Sequence, residues 1–193
     1  MAAMSLSAIE RFFSLLALVA GGGAIAIVTM RLLPAGRPVL AQLGAVSRWL
    51  AFAVAATAMG GSLWFSEVEN FVPCKLCWYQ RICMYGAAIV LLVGAVRRDP
   101  HVRWYVAPLA GLGVIVSTYH YVLEWNPQLE SSACDISVPC TTIWYREFGF
   151  VTLSFSALCG FAAILALTLL TSHNGHLEDP HGEQTNSTDL TAR

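Results

Sequence analysis

Two cysteines stand three positions apart at the start of an apolar run, in the stretch "FVPCKLCWYQRICMYG" (71–86). Pro73 favours a helix start, because its missing N–H costs nothing in a first turn. Cys74 and Cys77 then lie on one face of that turn, where the unpaired N–H groups of the helix favour thiolate over thiol. A thiolate attacks disulfides and donates electrons, so the pair predicts thiol–disulfide chemistry.

Arg81 follows Cys77 by four residues and therefore lies one helical turn further along the same face. Its charge would stabilise a thiolate and attract the negative charge that develops on a polar electron acceptor. The competing interpretation is an arginine whose stem lies in lipid while its head reaches the interface. The register with the C-x-x-C pair favours the redox interpretation.

Cys134 and Cys140 form a second pair in a later connection. Two such pairs permit a relay by thiol–disulfide exchange, and a relay needs an electron sink. In a membrane helix bundle the expected sink is a lipid-soluble quinone. Static disulfides that stiffen a scaffold or channel-like protein, and a structural zinc site built from both pairs, are the alternatives. Cys83 and Cys159 lie within apolar runs and are interpreted as small packing residues.

The elements that carry these residues are membrane helices. The 193 residues are 56% hydrophobic and 12% charged, about half the usual charged share. A net charge of −1 gives no field that would point to nucleic acid. Tryptophans near the run boundaries match the aromatic belt of a membrane interface. The sequence predicts an all-α integral membrane protein with five apolar runs long enough, or nearly so, to span a bilayer: 12–30, 49–65, 82–96, 104–123 and 148–170.

The arginines predict the orientation of these runs. The first and third connections are rich in arginine, so the positive-inside rule assigns both to the cytoplasm. The other two connections are mainly acidic and carry both cysteine pairs, which places the cysteines outside, where disulfides persist. The N-terminus is then outside and the C-terminus inside. A cleaved signal peptide is disfavoured, because four remaining spans would put the arginines outside.

The expected organisation has four parts. Residues 1–34 form an additional N-terminal transmembrane helix, and residues 35–47 form a cytoplasmic linker. Within that linker, apolar residues of 38–47 share one helical face, so the segment either lies along the inner membrane surface or is a plain linker. Residues 48–171 form a four-helix transmembrane bundle that carries the redox residues. The polar residues 172–193 are expected to be a disordered cytoplasmic tail.

At these motifs the chain resembles the DsbB family of disulfide bond formation proteins, which are integral membrane thiol:quinone oxidoreductases. The likeness spans roughly 47–170 and rests on "PCKLCWYQRICMYG", "STYHYVLEW" and "ACDISVPCTTIWYREFGFVTLSFSALCGF". The short spacing of Cys134 and Cys140 is similar to the BdbC-like branch, and the first apolar run is extra to the family's four-helix core. Vitamin K epoxide reductase relatives use related chemistry, but their loop pair precedes the C-x-x-C, so the order here disfavours them.

The resemblance implies a relay through four catalytic cysteines. Cys134 would form a mixed disulfide with a soluble extracytoplasmic DsbA-like thioredoxin-fold oxidase. Cys140 would then be released and attack Cys74. Cys77 would become the thiolate that faces a quinone of the membrane pool, either ubiquinone or menaquinone. The implied function is the reoxidation of that oxidase in support of disulfide bond formation.

The resemblance also implies the residues that bind the quinone. Arg81 lies beside Cys77, and His120 resembles a histidine associated with the quinone site in the family. The alternative for His120 is an interfacial histidine with a local hydrogen bond. No metal is expected, and the implied location is the bacterial inner or plasma membrane.

Overall fold

The structure, a computed structural model, describes residues 6–130, 134 and 138–174. Short 3-10 turns at Pro34–Gly36 and Pro127–Leu129 precede the second helix and follow the fourth. The tail expected at 172–193 lies outside the described residues from residue 175 onward. The described chain is built from five long α-helices: α1 (Leu6–Leu32), α2 (Arg37–Glu67), α3 (Lys75–Arg97), α4 (Val102–Trp125) and α5 (Leu153–Asn174).

The outer surface of the bundle is apolar along the helices. Ile25, Ile89 and Ile115 are each more than 60% exposed, together with many other large apolar side chains. Soluble proteins rarely expose continuous apolar surface of this extent. All five helices are long and apolar enough to cross a membrane. The expected all-α membrane bundle with an additional N-terminal helix is confirmed.

Small residues let the helices approach closely. The buried face of α2 carries Gly44, Ser47, Ala51 and Ala55 at spacings of three or four residues. Where lipid is as apolar as leucine, close backbone approach at small residues supplies much of the helix association. α2 packs against α3 and α5, and α4 packs against the same two helices, which closes a four-helix core; α1 lies mainly along α5 and touches α2 less.

The structure departs from the expected linker at 35–47. Helix α2 begins at Arg37, so this segment is continuous with the second membrane helix rather than separate from it. Pro38 fits the first turn, where no N–H is needed. Leu40 and Leu43 then pack against the main core, which gives these turns a buried face and a reason to stay helical.

Two arginine side chains make contacts between elements at one end of the bundle, Arg48 from α2 to the connection between α3 and α4, and Arg31 from α1 to α5. Arg48 donates from Nη1 to the carbonyl of Asp99 at 3.4 Å, and Arg31 donates from Nη2 to the carbonyl of Leu169 at 3.0 Å. Both arginine-bearing connections therefore lie at the end of the bundle where α5 finishes. The connections that carry the cysteine pairs lie at the opposite end.

Gly113 sets the distance between α4 and α5, and we expect Gly113→Ala to destabilise the bundle. A Cβ there would lie 2.3 Å from Cε1 of Phe161, whose side chain is fully buried. Overpacking of a filled core costs about 1–3 kcal/mol. Thermal unfolding in detergent measures the loss.

The matched control is Gly111→Ala, on the same helix. A Cβ there meets nothing within 4 Å, and alanine is favoured over glycine in a helix by about 1 kcal/mol. This variant should be as stable as the unaltered protein or more so. Equal stability of the two alanine variants would contradict the packing argument.

Candidate active site

The four cysteines of the two pairs meet in one cluster at the end of the bundle opposite the arginines. Cys134 and Cys140 are joined by a disulfide, whereas Cys74 and Cys77 are thiols whose sulfurs lie 2.9 Å apart. The structure thus brings together residues that are some sixty positions apart in sequence. The buried centre of the cluster and its partly buried neighbours are Cys74, Leu76, Leu123, Cys140, Cys77, Val116, Cys134 and Val138.

Cys74 is the N-cap of α3. Its backbone is extended, with φ −70° and ψ 173°, and its sulfur accepts a hydrogen bond from the backbone N–H of Cys77 at 3.3 Å. A side-chain acceptor at this position satisfies one of the N–H groups that every helix start leaves unpaired. The sequence indicated that Pro73 lies in the first helical turn. In the structure Pro73 precedes the N-cap and lies outside the helix.

The surroundings of Cys74 favour its thiolate. The pKa of Cys74 is lowered to about 4, chiefly by the hydrogen bond from the Cys77 thiol. Burial opposes this shift, while His120 and the backbone N–H of Cys77 reinforce it. In this redox state Cys74 is ionised at neutral pH, and Cys77 donates to it.

His120 connects the two cysteine pairs from helix α4. It is 2% exposed, and its Nε2 lies 3.0 Å from the carbonyl oxygen of Cys140 and 3.7 Å from the sulfur of Cys74. A carbonyl only accepts, so Nε2 carries the proton. Nδ1 then accepts from the side-chain amide of Gln80 at 3.3 Å. His120 is thus held by partners on three sides.

Glu130 fixes the backbone at Cys140. Its carboxylate accepts from the N–H of Cys140 at 2.8 Å and from the hydroxyl of Thr141 at 3.2 Å. A carboxylate oxygen of Glu130 also lies within 4.8 Å of the sulfurs of Cys134 and Cys140. The sequence did not identify Glu130, because its hydrogen bonds go to residues ten and eleven positions later, and local spacing does not predict such contacts.

A cavity of about 370 Å³ lies on the other side of the C-x-x-C pair. Cys77 and Arg81 border it, and most of its lining is apolar and comes from α1, α2, α3 and α5. Cys74 and His120 do not appear among its described lining residues. Cys74 therefore contacts the cysteine cluster and not the cavity, whereas Cys77 borders both.

Arg81 is held at the cavity wall by a backbone carbonyl. Its Nη2 donates to the carbonyl oxygen of Ser62 at 2.9 Å, and its guanidinium carbon lies 5.3 Å from the ring centroid of Trp78. A guanidinium has five N–H donors, so the bond to Ser62 leaves donors for a ligand. Arg81 and Cys77 both border this cavity, and a role for Arg81 in binding the acceptor stays a prediction.

Tyr85 contributes a second polar group to the cavity. Its hydroxyl is buried and has no hydrogen-bond partner among the described residues, and the residue lines the cavity one helical turn beyond Arg81. A buried hydroxyl without a partner costs free energy, so the site is suited to a ligand with a polar acceptor. The i, i+4 spacing from Arg81 is the sequence signal that could have found it.

Aromatic rings line the outer end of the cavity. Phe71 stacks between Phe65 and Trp144, with ring centroids 5.5 Å and 4.7 Å away, and Phe13 packs on Phe65 at 5.6 Å. All four line the cavity. These stacked rings form the outer part of the cavity wall.

Glu124 is a buried acidic residue that the sequence did not identify. Glu124 lies one turn beyond His120 on α4 and is 7% exposed. One of its oxygens accepts a short hydrogen bond from Ser154. The other has no partner among the residues described. Glu124 thus places an acidic group one helical turn from the histidine that connects the cysteine pairs.

The bonding of the cysteines bears on the two alternatives left open by the sequence. A zinc site shared by both pairs needs four thiolates, but Cys134 and Cys140 are bonded to each other. A scaffold with two static disulfides needs both pairs bonded, but Cys74 and Cys77 are thiols. The structure holds one pair in each redox state, which is typical of exchange rather than of a permanent brace.

A sequence model of the family described as "Disulfide bond formation protein DsbB" matches residues 44–172. The chain belongs to the DsbB family. It is 43% identical to a probable disulfide formation protein of Oceanobacillus iheyensis, over 58% of this chain and 79% of that one. It is 39% identical to disulfide bond formation protein C of Bacillus subtilis, over 63% and 89% of the two chains. No solved structure matches.

Membership of the DsbB family confirms the resemblance seen in the sequence and gives the chain a redox role in disulfide formation. A probable disulfide formation protein C of Halalkalibacterium halodurans, 42% identical over 63% of this chain and 88% of that one, agrees with this role. The family match begins at residue 44, so all of α1 lies outside it.

We expect Cys74 to titrate far below an ordinary thiol. The thiolate absorbance of the unaltered protein minus that of Cys74→Ser should appear with a midpoint near pH 4, as the lowered pKa of about 4 requires. An unperturbed cysteine has a pKa of about 8.5. His120→Ala removes a group that stabilises the thiolate, so the pKa of Cys74 should rise and the midpoint should move to higher pH.

The control is Cys83→Ser, whose difference spectrum should show no thiolate near pH 4, because Cys83 packs in the main core. A Cys74 midpoint above pH 8 in the folded protein would show that the N-cap geometry does not stabilise the thiolate.

Proposed function

We propose that this protein is a membrane thiol:quinone oxidoreductase. It reoxidises a soluble extracytoplasmic thioredoxin-fold oxidase and passes the electrons to a membrane quinone. The observation that supports this most is the division of the C-x-x-C pair, with Cys74 in the cluster beside Cys140 and Cys77 on the apolar cavity beside Arg81. Overall, the partner's dithiol loses two electrons and two protons and becomes a disulfide, and the quinone gains both and becomes a quinol.

In the first half of the relay, the partner becomes linked to Cys134, and Cys140 becomes linked to Cys74. A thiolate of the partner attacks Cys134 and displaces Cys140. Cys140 then attacks Cys74 of an oxidised Cys74–Cys77 pair and releases Cys77 as a thiolate. His120 lies between the carbonyl of Cys140 and the sulfur of Cys74, so it is placed to hold these two residues together.

The second half restores the outer pair. The partner's second thiol displaces Cys134, which attacks Cys140 and releases Cys74. A sulfur with a low pKa is a good leaving group, and the pKa of Cys74 is lowered to about 4. The chain then holds a Cys134–Cys140 disulfide beside reduced Cys74 and Cys77, which is the bonding state of the described cysteines.

The residues around the cavity fit a quinone. A bound quinone would accept the two electrons of the Cys74–Cys77 pair together with two protons. Arg81 and Tyr85 are one turn apart on α3, about 6 Å along the axis, and each offers a donor to one of its two carbonyl oxygens. Cys77 would reach it from the same helix. We assign His120 to thiol exchange rather than to the quinone, since it lies apart from the cavity lining.

The proposed orientation places both cysteine pairs outside the cytoplasm. The arginine-bearing connections lie together at the other end of the bundle, tied by Arg48 to Asp99 and by Arg31 to α5. Cytoplasmic connections carry an excess of arginine and lysine. The N-terminus then lies outside and the end of α5 inside.

Replacing Cys140 by serine should trap the first intermediate. In this variant Cys134 is a free thiol, because its disulfide partner is gone. The Cys134 thiolate attacks the disulfide of the oxidised soluble oxidase and releases one thiol of that oxidase, and no Cys140 thiol is present to displace Cys134 from the mixed disulfide. A covalent complex should accumulate and should disappear on reduction. Non-reducing gel electrophoresis with the soluble oxidase, followed by mass spectrometry of the linked peptides, identifies the sulfur. Cys134→Ser is the control and should trap nothing, whereas a link through Cys74 would overturn the proposed order.

Substitutions at the cavity should impair quinone reduction and spare exchange with the partner. A charge-assisted contact is worth about 1.5–3 kcal/mol, so Arg81→Met should slow quinone reduction by roughly one to two powers of ten. Arg81→Lys keeps the charge but loses the planar fork, so an intermediate defect is expected. Tyr85→Phe removes one neutral hydrogen bond, about 0.5–1.5 kcal/mol, and should raise the quinone KM by less.

Steady-state quinone reduction is measured alongside single-turnover oxidation of the partner, which all three variants should perform normally. Tyr105→Phe, an exposed tyrosine on α4, is the matched control for Tyr85→Phe. Normal quinone kinetics in a folded Arg81→Met protein would reduce Arg81 to an interfacial anchor.

A further inference from the structure

We propose that the additional helix α1 forms the wall of the cavity that binds the isoprenoid tail of the quinone. This inference rests on the proposed function and extends it to the class of substrate, a quinone with a long apolar tail. Helix α1 lies outside the region that matches the family, which begins at residue 44. Its contribution to the cavity is therefore a property of this chain's own N-terminal segment.

One face of α1 borders the cavity. The residues of α1 that line the cavity are Phe13, Leu16, Ala17, Val19 and Ala20. Four of them, all but the exposed Val19, have the spacing of a single helical stripe. The same stripe continues to Ala24 and Ile27, which are buried in the main core. Both ends of α1 are therefore packed against the bundle, and the stretch from Phe13 to Ala20 borders the cavity.

Close contacts hold α1 in place on both sides of that space. At the outer end, a Cβ on Gly61 would lie 2.5 Å from Cε1 of Phe13. Towards the inner end, a Cβ on Gly21 would lie 2.8 Å from the sulfur of Cys159. Glycine at both positions lets α1 dock tightly above and below the cavity, so α1 is a fitted wall rather than a loose neighbour.

Depth along the bundle separates the polar and apolar ends of the cavity. Phe13 contacts α2 at Gly61, next to Ser62, whose carbonyl holds Arg81. Ala20 lies about 10 Å deeper along α1. The opposing helix α2 runs the other way, so its deep lining residues are Ala53 and Val54.

The deep part of the cavity suits a hydrocarbon chain. Its lining adds Phe161 to Ala20 of α1 and to Ala53 and Val54 of α2, and none of these side chains carries a hydrogen-bonding oxygen or nitrogen. Nearer the outer end, Thr57 adds a hydroxyl to the lining. A quinone ring needs donors for its carbonyls; Arg81 lies nearer the outer end, and Tyr85 lies one turn deeper, at the depth of Met84. An isoprenoid tail needs only apolar surface, and α1 supplies one side of it.

The test is a bulky substitution at the deep end of the α1 face. Ala20→Phe should fill the space and weaken binding of a tailed quinone about ten-fold, or about 1.4 kcal/mol, while affinity for the same ring without its tail stays unchanged. Two probes are compared. The first is ubiquinone or menaquinone, whichever the unaltered protein binds more tightly, and the second is the ring of that quinone without its isoprenoid tail. Quenching of tryptophan fluorescence in nanodiscs measures binding without turnover.

Ala26→Phe is the matched control, because Ala26 is exposed on the same helix and does not line the cavity. It should bind both probes as the unaltered protein does. A folded Ala20→Phe protein with unaltered affinity for the tailed quinone would overturn the inference. Equal weakening for both probes would also overturn it, since the effect would then not concern the tail.

A photo-crosslinking residue keeps the proposal testable if Ala20→Phe does not fold. Placed at Leu16, it should link to the tailed quinone, and placed at Val28, which is exposed and outside the cavity, it should not. Absence of a link at Leu16 would overturn the inference. If the unaltered protein neither binds nor reduces quinone, the proposed function fails with it; if it does both and α1 has no effect, only the inference fails.

Discussion

The hydrogen bond from the backbone N–H of Cys77 to the sulfur of Cys74 decides where the two thiols of the pair lie. It holds Cys74 just outside the first turn of α3, in extended backbone, and leaves Cys77 within that turn. Cys74 therefore turns to His120 and the outer disulfide, and Cys77 turns to the cavity. Had both residues been inside the helix, both sulfurs would have shared one face.

The other helices supply what this division requires. Helix α4 brings His120 against Cys140, and α2 offers the carbonyl of Ser62 to Arg81. Polar groups inside a membrane are costly unless they find partners. His120 and Arg81 have theirs within the protein. The hydroxyl of Tyr85 has none among the described residues, and Tyr85 is one of the residues that line the cavity.

The sequence predicted the features that depend on hydropathy and local spacing. These are the five helices, the C-x-x-C at the start of α3 and the arginine-bearing connections at one end. It did not predict the side of α3 on which His120 lies. It also did not predict that Tyr85 and α1 line the cavity. The reason is physical: lipid and core are both apolar, so the hydrophobic pattern of a membrane helix does not show which face turns inward. The early start of α2 has a related cause, since Leu40 and Leu43 gain core contacts that their local sequence does not reveal.

The cavity and the cysteine cluster are joined by more than the two sulfurs. Gln80 lines the cavity and donates to Nδ1 of His120, whose Nε2 faces Cys140 and Cys74. In the proposed function, two electrons cross from the cluster to the cavity through the Cys74–Cys77 pair. Gln80 of α3 and His120 of α4 are hydrogen-bonded to each other. This polar pair also connects the cavity to the cysteine cluster, about one helical turn of α3 deeper than Cys77. Charge that develops beside Cys77 would be balanced by these fixed groups and by Arg81. In surroundings as apolar as this cavity lining, each of the few donors counts for more than it would in water.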